Sequence, residues 1–132
     1  MKKAVFIGRW QPFHLGHEWL IRQKLDKGIS VLIMIRDIPP DERNPFTSEE
    51  SKSMIEAALD GENVSVMIIP DIESVNWGRG VGYETNEHTP PTDIKMISAT
   101  SIRRAASSGD ASWRDCVNPK VAKWLEDNWI KQ

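Results

Sequence analysis

The chain has 132 residues, of which 39% are hydrophobic and 27% charged, and its formal net charge at pH 7 is −2. This length and composition predict one globular domain, residues 1–132. The slight negative charge argues against charge-driven binding to nucleic acid or to an anionic membrane. The lone cysteine, Cys116, excludes an internal disulfide and fits a cytoplasmic protein.

The first half of the chain alternates predicted strands with predicted helices. Three short runs rich in Val and Ile predict strands at Ala4–Ile7, Ile29–Ile35 and Val64–Ile69, and their lack of alternation favours burial on both faces. The first intervening helix has one apolar face, formed by His17, Leu20, Ile21 and Leu25. The second helix begins at a capping box, Thr47 to Glu50. Crossovers of this length require parallel pairing, so we expect an α/β fold: a doubly wound, Rossmann-like domain with a mainly parallel sheet flanked by helices.

The second half of the chain is less regular. Residues 71–93 are rich in Gly and Pro and predict a loop, with a short strand possible near Val81–Glu84. Ile94–Ile97 could form another strand. A short helix is expected after Ser98 and a last one over Pro119–Ile130.

The loop after the first strand has the sequence GRWQPFHLGH, residues 8–17. Open parallel sheets bind ligands beyond the carboxyl ends of their strands, which is where this loop lies. Gly8 would let the backbone approach a ligand closely. Because Gly16 stands where the first helix begins, His17 and nearby backbone N–H groups would border an anion site.

This loop resembles the HxGH loop of the cytidylyltransferase-like nucleotidyltransferase superfamily, and its full string is most similar to nicotinamide mononucleotide adenylyltransferase-type members. Residues 97–104, ISATSIRR, are similar to the superfamily's ISxTxIR motif, and residues 44–47, NPFT, resemble the adenylyltransferase branch. The resemblance implies transfer of a nucleoside monophosphate, with AMP favoured, from a nucleoside triphosphate to a phosphate-bearing acceptor such as nicotinamide mononucleotide. Pyrophosphate would be released, and Mg²⁺ would be held mainly by substrate phosphates and water.

The resemblance also assigns roles to individual residues. His14, His17 and Arg103 would be catalytic, because charge that builds on the phosphates is best stabilised by pre-placed donors. The nucleotide would be bound by residues of both motifs and of the first helix: Gly8, Arg9, Trp10, Phe13, Gly16, Lys24, Ser98, Thr100 and Ser101. Simpler interpretations stay open, namely a capping or packing histidine pair, half of a zinc site, a capped helix with solvated arginines, and an exposed helix lysine at Lys24.

The acceptor site is the least determined part of the sequence, because residues 71–93 are shorter than the corresponding stretch in typical relatives. Asp37, Trp77 and Arg79 are candidate acceptor-binding residues, and each has the alternative of being an ordinary surface residue. The six tryptophans, three of them near the C-terminus (Trp113, Trp124 and Trp129), favour core packing or a subunit interface, and we expect a homo-oligomer.

Three other functions remain open at this point. The first is a cytidylyltransferase acting on an alcohol phosphate such as glycerol 3-phosphate. The second is a nucleotide-binding protein that senses without catalysing, and the third is an interaction module that uses the tryptophan-rich end.

Overall fold

The structure is a computed structural model that describes residues 2–80 and 82–130. Its regular elements, in chain order, are β1 (Ala4–Gly8), α1 (Leu15–Leu25), β2 (Val31–Asp37), α2 (Ser48–Ala58), β3 (Val64–Pro70), α3 (Thr92–Lys95), α4 (Ala99–Ser108), a 3₁₀ helix (Ala111–Cys116) and α5 (Pro119–Asn128). The three strands form one parallel sheet in the order β1–β2–β3. The predicted α/β class, with a parallel sheet flanked by helices, is confirmed.

The strand and helix bounds agree with the sequence in most places. The second strand begins at Val31 and not at the predicted Ile29, because the Ile29 N–H donates to the carbonyl of Lys24 at 3.3 Å and so belongs to the turn that ends α1. The capping box of α2 is confirmed. The Glu50 N–H donates to Thr47 Oγ1 at 3.1 Å, and the Thr47 N–H donates to Glu50 Oε1 at 2.9 Å.

Only one face of the sheet is covered in the part of the chain that the structure describes. Ile33 of β2 packs in the core with Ile21 of α1 and Ile55 of α2. On the opposite face Val5, Ile7 and Met67 are 48%, 39% and 48% exposed, respectively. The strand order β1–β2–β3 does not reverse, so both crossovers advance in the same direction across the sheet. Because both crossovers are right-handed, they place α1 and α2 on the same face of the sheet. The prediction of burial on both faces is therefore wrong for these strands.

The C-terminal tryptophans pack in the core or against it. The rings of Trp124 and Trp129 meet the ring of Phe46 edge to face, with centroids 5.9 and 5.0 Å apart, and Trp113 is buried. These contacts join α5 to the segment that precedes α2. Their aromatic surface is used in the core, which agrees with the packing alternative.

The segment between β3 and α4 differs from its prediction. From Asp71 to Pro91 the described residues form no strand or helix, and most are exposed. Of the strand predicted near Val81–Glu84, Val81 lies outside the described residues and the rest is irregular. The strand predicted at Ile94–Ile97 is wrong, because Pro91 is the N-cap of the short helix α3 and its carbonyl accepts from the Lys95 N–H at 2.8 Å.

The last helix ends at Asn128, two residues before the predicted Ile130. Among the helices that the structure describes, none has both the length and the apolar character needed to cross a bilayer.

Candidate functional site

Two histidines cap the N-terminus of α1, and the side chain of each accepts a hydrogen bond from the backbone N–H of the other. His14 is the N-cap, and its Nδ1 accepts from the N–H groups of Gly16 at 3.0 Å and His17 at 3.4 Å. The Nδ1 of His17 in turn accepts from the His14 N–H at 3.2 Å. The two imidazole rings stack with centroids 3.7 Å apart. The pair is thus a capping box in which imidazoles replace the usual hydroxyl and carboxylate.

This arrangement determines the protonation state of both rings. A ring nitrogen that accepts a hydrogen bond carries no proton, so each neutral ring is protonated at Nε2 and offers one N–H donor there. Burial lowers the pKa of His14 from 6.5 to about 4. Burial, together with the charge of His14, also holds the pKa of His17 well below its ordinary value. Both imidazoles are therefore neutral donors at pH 7.

The glycine of the HxGH loop makes room for the first of these rings. A Cβ on Gly16 would lie 2.8 Å from Cε1 and 3.0 Å from Nδ1 of His14. Such contacts are too short for real side chains, so only glycine lets the imidazole fold over the first turn of the helix.

Gly8 also makes room for a ring, and its close approach to a ligand stays a prediction. A Cβ on Gly8 would lie 3.0 Å from the ring of Trp10. Trp10 is buried, has a φ of 57° and donates from Nε1 to the carbonyl of Met34 at 3.2 Å. Its ring meets that of His17 edge to face, at a centroid distance of 4.9 Å. The buried Phe13 also contacts the histidine pair, because its ring stacks on that of His17. Trp10 and Phe13 therefore pack against the His17 ring and help to hold its orientation.

The ISxTxIR segment lies against the first loop. Ser98 is the N-cap of α4 and accepts from the Ser101 N–H at 3.1 Å, whereas Thr100 is an exposed residue of the first turn. Arg103 of the same helix donates from Nη1 to the carbonyl of Gln11 at 2.7 Å. The two motifs, both of which the resemblance assigned to nucleotide binding, are thus joined directly by a hydrogen bond.

Arg9 directly follows β1, at the carboxyl edge of the sheet. Its Nη2 donates to the carbonyl of Ile38 at 3.4 Å. Its Nε is buried and has no hydrogen-bond partner in the described part of the chain. A buried guanidinium N–H that is left unpaired is costly, and an anionic ligand would satisfy it.

A tight turn at residues 41–44, which the sequence analysis did not identify, brings further charges close to Arg103. The Asp41 carboxylate accepts from the N–H groups of Arg43 at 2.9 Å and Asn44 at 2.8 Å. The hydrogen bonds from Asn44 are the largest cause that lowers the pKa of Asp41, and the charge of Arg9 adds to them. Burial lowers the pKa of Arg103, while the charge of Asp41 opposes that shift. The charge of this carboxylate therefore acts on arginines of two other segments, Arg9 and Arg103.

Other predicted residues lie away from this cluster. Lys24 is in the last turn of α1, about 15 Å along the helix axis from the His14 cap at 1.5 Å per residue, and its assignment to the nucleotide site stays a prediction. Trp77, 58% exposed, and the exposed Arg79 lie on the irregular segment that follows β3. Asp37 ends β2, and its Oδ1 accepts from Ser48 Oγ at 2.8 Å.

Comparison with known proteins identifies the class. Residues 5–102 match the cytidylyltransferase-like family, and the chain belongs to that family. Among curated relatives, the nicotinamide-nucleotide adenylyltransferase of Methanospirillum hungatei JF-1 is 27% identical over 155 residues, covering 96% of this chain and 88% of the relative. The enzymes of the same name from Thermoplasma acidophilum and Methanocorpusculum labreanum are 32% and 38% identical, covering 78% and 74% of this chain but only 59% of each relative.

The relatives are longer than this chain. The alignment with the Methanospirillum protein spans 155 residues, which exceeds the 132 residues of the chain, so the relative contains residues without a counterpart here. The chain spans little more than half the length of the other two relatives.

Proposed function

We propose that this protein is an adenylyltransferase that transfers AMP from ATP to nicotinamide mononucleotide and releases pyrophosphate. The observation that carries the proposal is the 2.7 Å hydrogen bond from Arg103 to the Gln11 carbonyl, because it brings the N-terminal end of α4 to the loop that holds the two histidines. The names of the similar relatives favour ATP and nicotinamide mononucleotide as the substrates.

In the proposed reaction a phosphate oxygen of the acceptor attacks the α-phosphorus of ATP. A new P–O bond forms, the bond from the α-phosphorus to the bridging oxygen breaks, and pyrophosphate leaves with that electron pair. The acceptor phosphate is already an anion, so no general base is required. His14 and His17 donate from Nε2 to phosphate oxygens, and the donors of Arg103 and the N-terminus of α4 receive the departing pyrophosphate.

Arg9 and Mg²⁺ complete the proposed phosphate site. The unpaired Nε of Arg9 is suited to a phosphate oxygen. In the described part of the chain, no group of three or more His, Cys, Asp or Glu side chains is placed to hold a metal ion. We propose, as the resemblance implies, that Mg²⁺ is held by the phosphate oxygens of the substrate and by water, where it would neutralise charge on the triphosphate.

The acceptor side of the proposal rests on fewer contacts. Asp37 ends β2 beside the N-terminus of α2, at the carboxyl edge of the sheet where ligands of parallel sheets bind. Trp77 and Arg79 are carried by the segment that leaves β3 at the same edge. We propose that this segment folds over the acceptor, with the indole stacking on a ring and the guanidinium meeting the phosphate.

The predicted homo-oligomer would use the open face of the sheet. Parallel sheets are almost always covered on both faces, and the uncovered side chains include Val5, Ile7 and Met67. Arg36, the one charged side chain on this face of the described strands, is paired with Asp71 at 2.9 Å, so a second copy could pack there without repulsion. Sedimentation velocity should give a dimer for the wild type and a monomer for Met67→Lys, and a monomeric wild type would rule the interface out.

A cytoplasmic location is proposed with the enzyme. It is supported by the free thiol of Cys116, since a reducing compartment keeps such thiols unpaired.

Pyrophosphate release separates the candidate functions. ATP and CTP are each assayed with nicotinamide mononucleotide and with glycerol 3-phosphate, and turnover is expected with ATP and nicotinamide mononucleotide. Turnover with CTP and glycerol 3-phosphate would favour the cytidylyltransferase instead. A sensor would melt at a higher temperature with ATP but release no pyrophosphate. An interaction module would show neither effect.

A further inference from the structure

Gln11 connects two parts of the phosphate site through its side chain. The amide is buried, with the residue only 6% exposed. Its Nε2 donates to the Phe46 carbonyl at 3.0 Å, and its Oε1 accepts from the Phe46 N–H at 2.9 Å. The Gln11 amide and the Phe46 main chain thus form a pair of hydrogen bonds. The pair resembles the one that two opposite residues of antiparallel strands form with each other. The first loop is fixed to the segment that leads into α2.

The main chain of Gln11 holds a third segment. Its carbonyl accepts a hydrogen bond of 2.7 Å from Nη1 of Arg103, a residue that lies 92 positions further along the chain. Three segments that are remote in sequence therefore meet at this one residue. The Arg103 guanidinium has five N–H donors in a rigid plane, and a bond from one end of that plane orients the donors that remain.

We propose that Gln11 is a positioning residue for triphosphate binding: its amide fixes the carbonyl that orients the Arg103 guanidinium, and it does so without touching the substrate. This inference rests on the proposed function. A buried amide suits the role because Phe46 presents one donor and one acceptor, and an amide satisfies both. A side chain that lacked either atom would leave a buried backbone group unpaired.

The first test replaces Gln11 with Met, which keeps the volume and removes both hydrogen bonds to Phe46, together with a longer one from Nε2 to Ser51 Oγ at 3.5 Å. The dissociation constant for ATP is measured by calorimetry and the melting temperature by thermal unfolding. We expect ATP to bind about 10-fold more weakly, the order expected for disturbing one charge-assisted hydrogen bond. Gln23→Met is the matched control, because the Gln23 amide also donates to a backbone carbonyl, that of Trp19 at 2.8 Å within α1, and its loss should leave ATP affinity unchanged.

A double-mutant cycle distinguishes positioning from general stability. If Gln11 acts through Arg103, then Gln11→Met should cost almost no further ATP affinity in an Arg103→Met background. Equal losses in both backgrounds would overturn the inference, as would a lower melting temperature with unchanged ATP affinity. If the wild type binds ATP without releasing pyrophosphate, the proposed function fails while the cycle can still be measured.

A second variant keeps the test available if the methionine variant does not fold. Gln11→Glu has the same shape, but its carboxylate cannot donate to the Phe46 carbonyl unless it is protonated. Burial raises the pKa of such a carboxyl group, so ATP affinity relative to the wild type should recover as the pH is lowered from about 8 to about 5.5. A ratio that does not change with pH would contradict the role of the amide donor.

Discussion

Replacing His14 separates its helix-capping role from its proposed role as a phosphate donor. In His14→Asn the side-chain oxygen can still accept from the N–H groups of Gly16 and His17, since asparagine is among the best N-cap residues. The Nε2 donor of the imidazole is lost. In His14→Ala both the cap and the donor are lost.

The expected magnitudes differ between the two variants. Loss of an N-cap costs about 1 kcal/mol of the free energy of unfolding, so the alanine variant should be destabilised by about that amount and the asparagine variant by much less. Loss of one pre-placed donor lowers turnover by roughly 10²–10³-fold, and both variants should show that decrease. In the asparagine variant turnover should therefore fall while the free energy of unfolding is nearly kept, whereas in the alanine variant both should fall.

The pH dependence of stability provides a second measurement on the same variants. Folding lowers the pKa of His14 from 6.5 to about 4, so on acidification the unfolded chain takes up this proton first. The stabilising contribution is complete above pH 6.5 and is lost as the pH falls through about 4, by about 3 to 4 kcal/mol at 1.4 kcal/mol per pKa unit. Asparagine does not titrate in this range, so the free energy of unfolding of His14→Asn should fall less between pH 7 and pH 4.5 than that of the wild type.

Urea unfolding and pyrophosphate release are the two assays. Full turnover in His14→Asn would refute donation by the imidazole. Equal destabilisation of the asparagine and alanine variants would refute the capping role, because the asparagine oxygen replaces the acceptor.

Three further substitutions test the same site. Gly16→Ala places a methyl group 2.8 Å from Cε1 of His14. The ring must therefore move, and ATP should bind about 10-fold more weakly. Gly78→Ala is the control and should leave ATP affinity unchanged, because a Cβ on Gly78 meets no atom of the described chain within 4 Å. His17→Ala should lower pyrophosphate release by roughly 10²–10³-fold while circular dichroism shows a folded chain, and an unchanged rate would remove His17 from the mechanism. Arg103→Lys keeps the charge but loses the planar fork, so calorimetry should show weaker ATP binding, and unaltered affinity would indicate a surface role.

The sequence predicted the elements and motifs whose determinants are local. The capping box from Thr47 to Glu50 is contained in four adjacent residues, and the Val- and Ile-rich runs indicate strands by composition alone. Ile94–Ile97 shows the limit of this approach, because a short apolar run does not distinguish a strand from a helical turn. The preceding Pro90 and Pro91 were the available indication that a helix begins there.

The connections within the site depend on contacts that no local pattern contains. The Gln11 amide meets Phe46, 35 positions away, and the Gln11 carbonyl meets Arg103, 92 positions away. For Lys24, helical periodicity gives the face of the residue and not its distance from the end that binds the ligand. The open sheet face escaped prediction because its side chains are as apolar as those of the core, so the sequence lacks the polar alternation that exposure usually produces.

The capping box also restricts what the histidines can do during the proposed reaction. A bound triphosphate would place negative charge close to both rings and raise their pKa values. Full protonation, however, would put a proton on the Nδ1 of His14, which would then face the N–H groups of Gly16 and His17 as donor against donor. The helix cap would be lost at the moment of charging. The fold therefore favours two neutral imidazoles throughout the proposed turnover, and in that proposal the positive charge that balances the polyphosphate would come from Arg9, Arg103 and the proposed Mg²⁺.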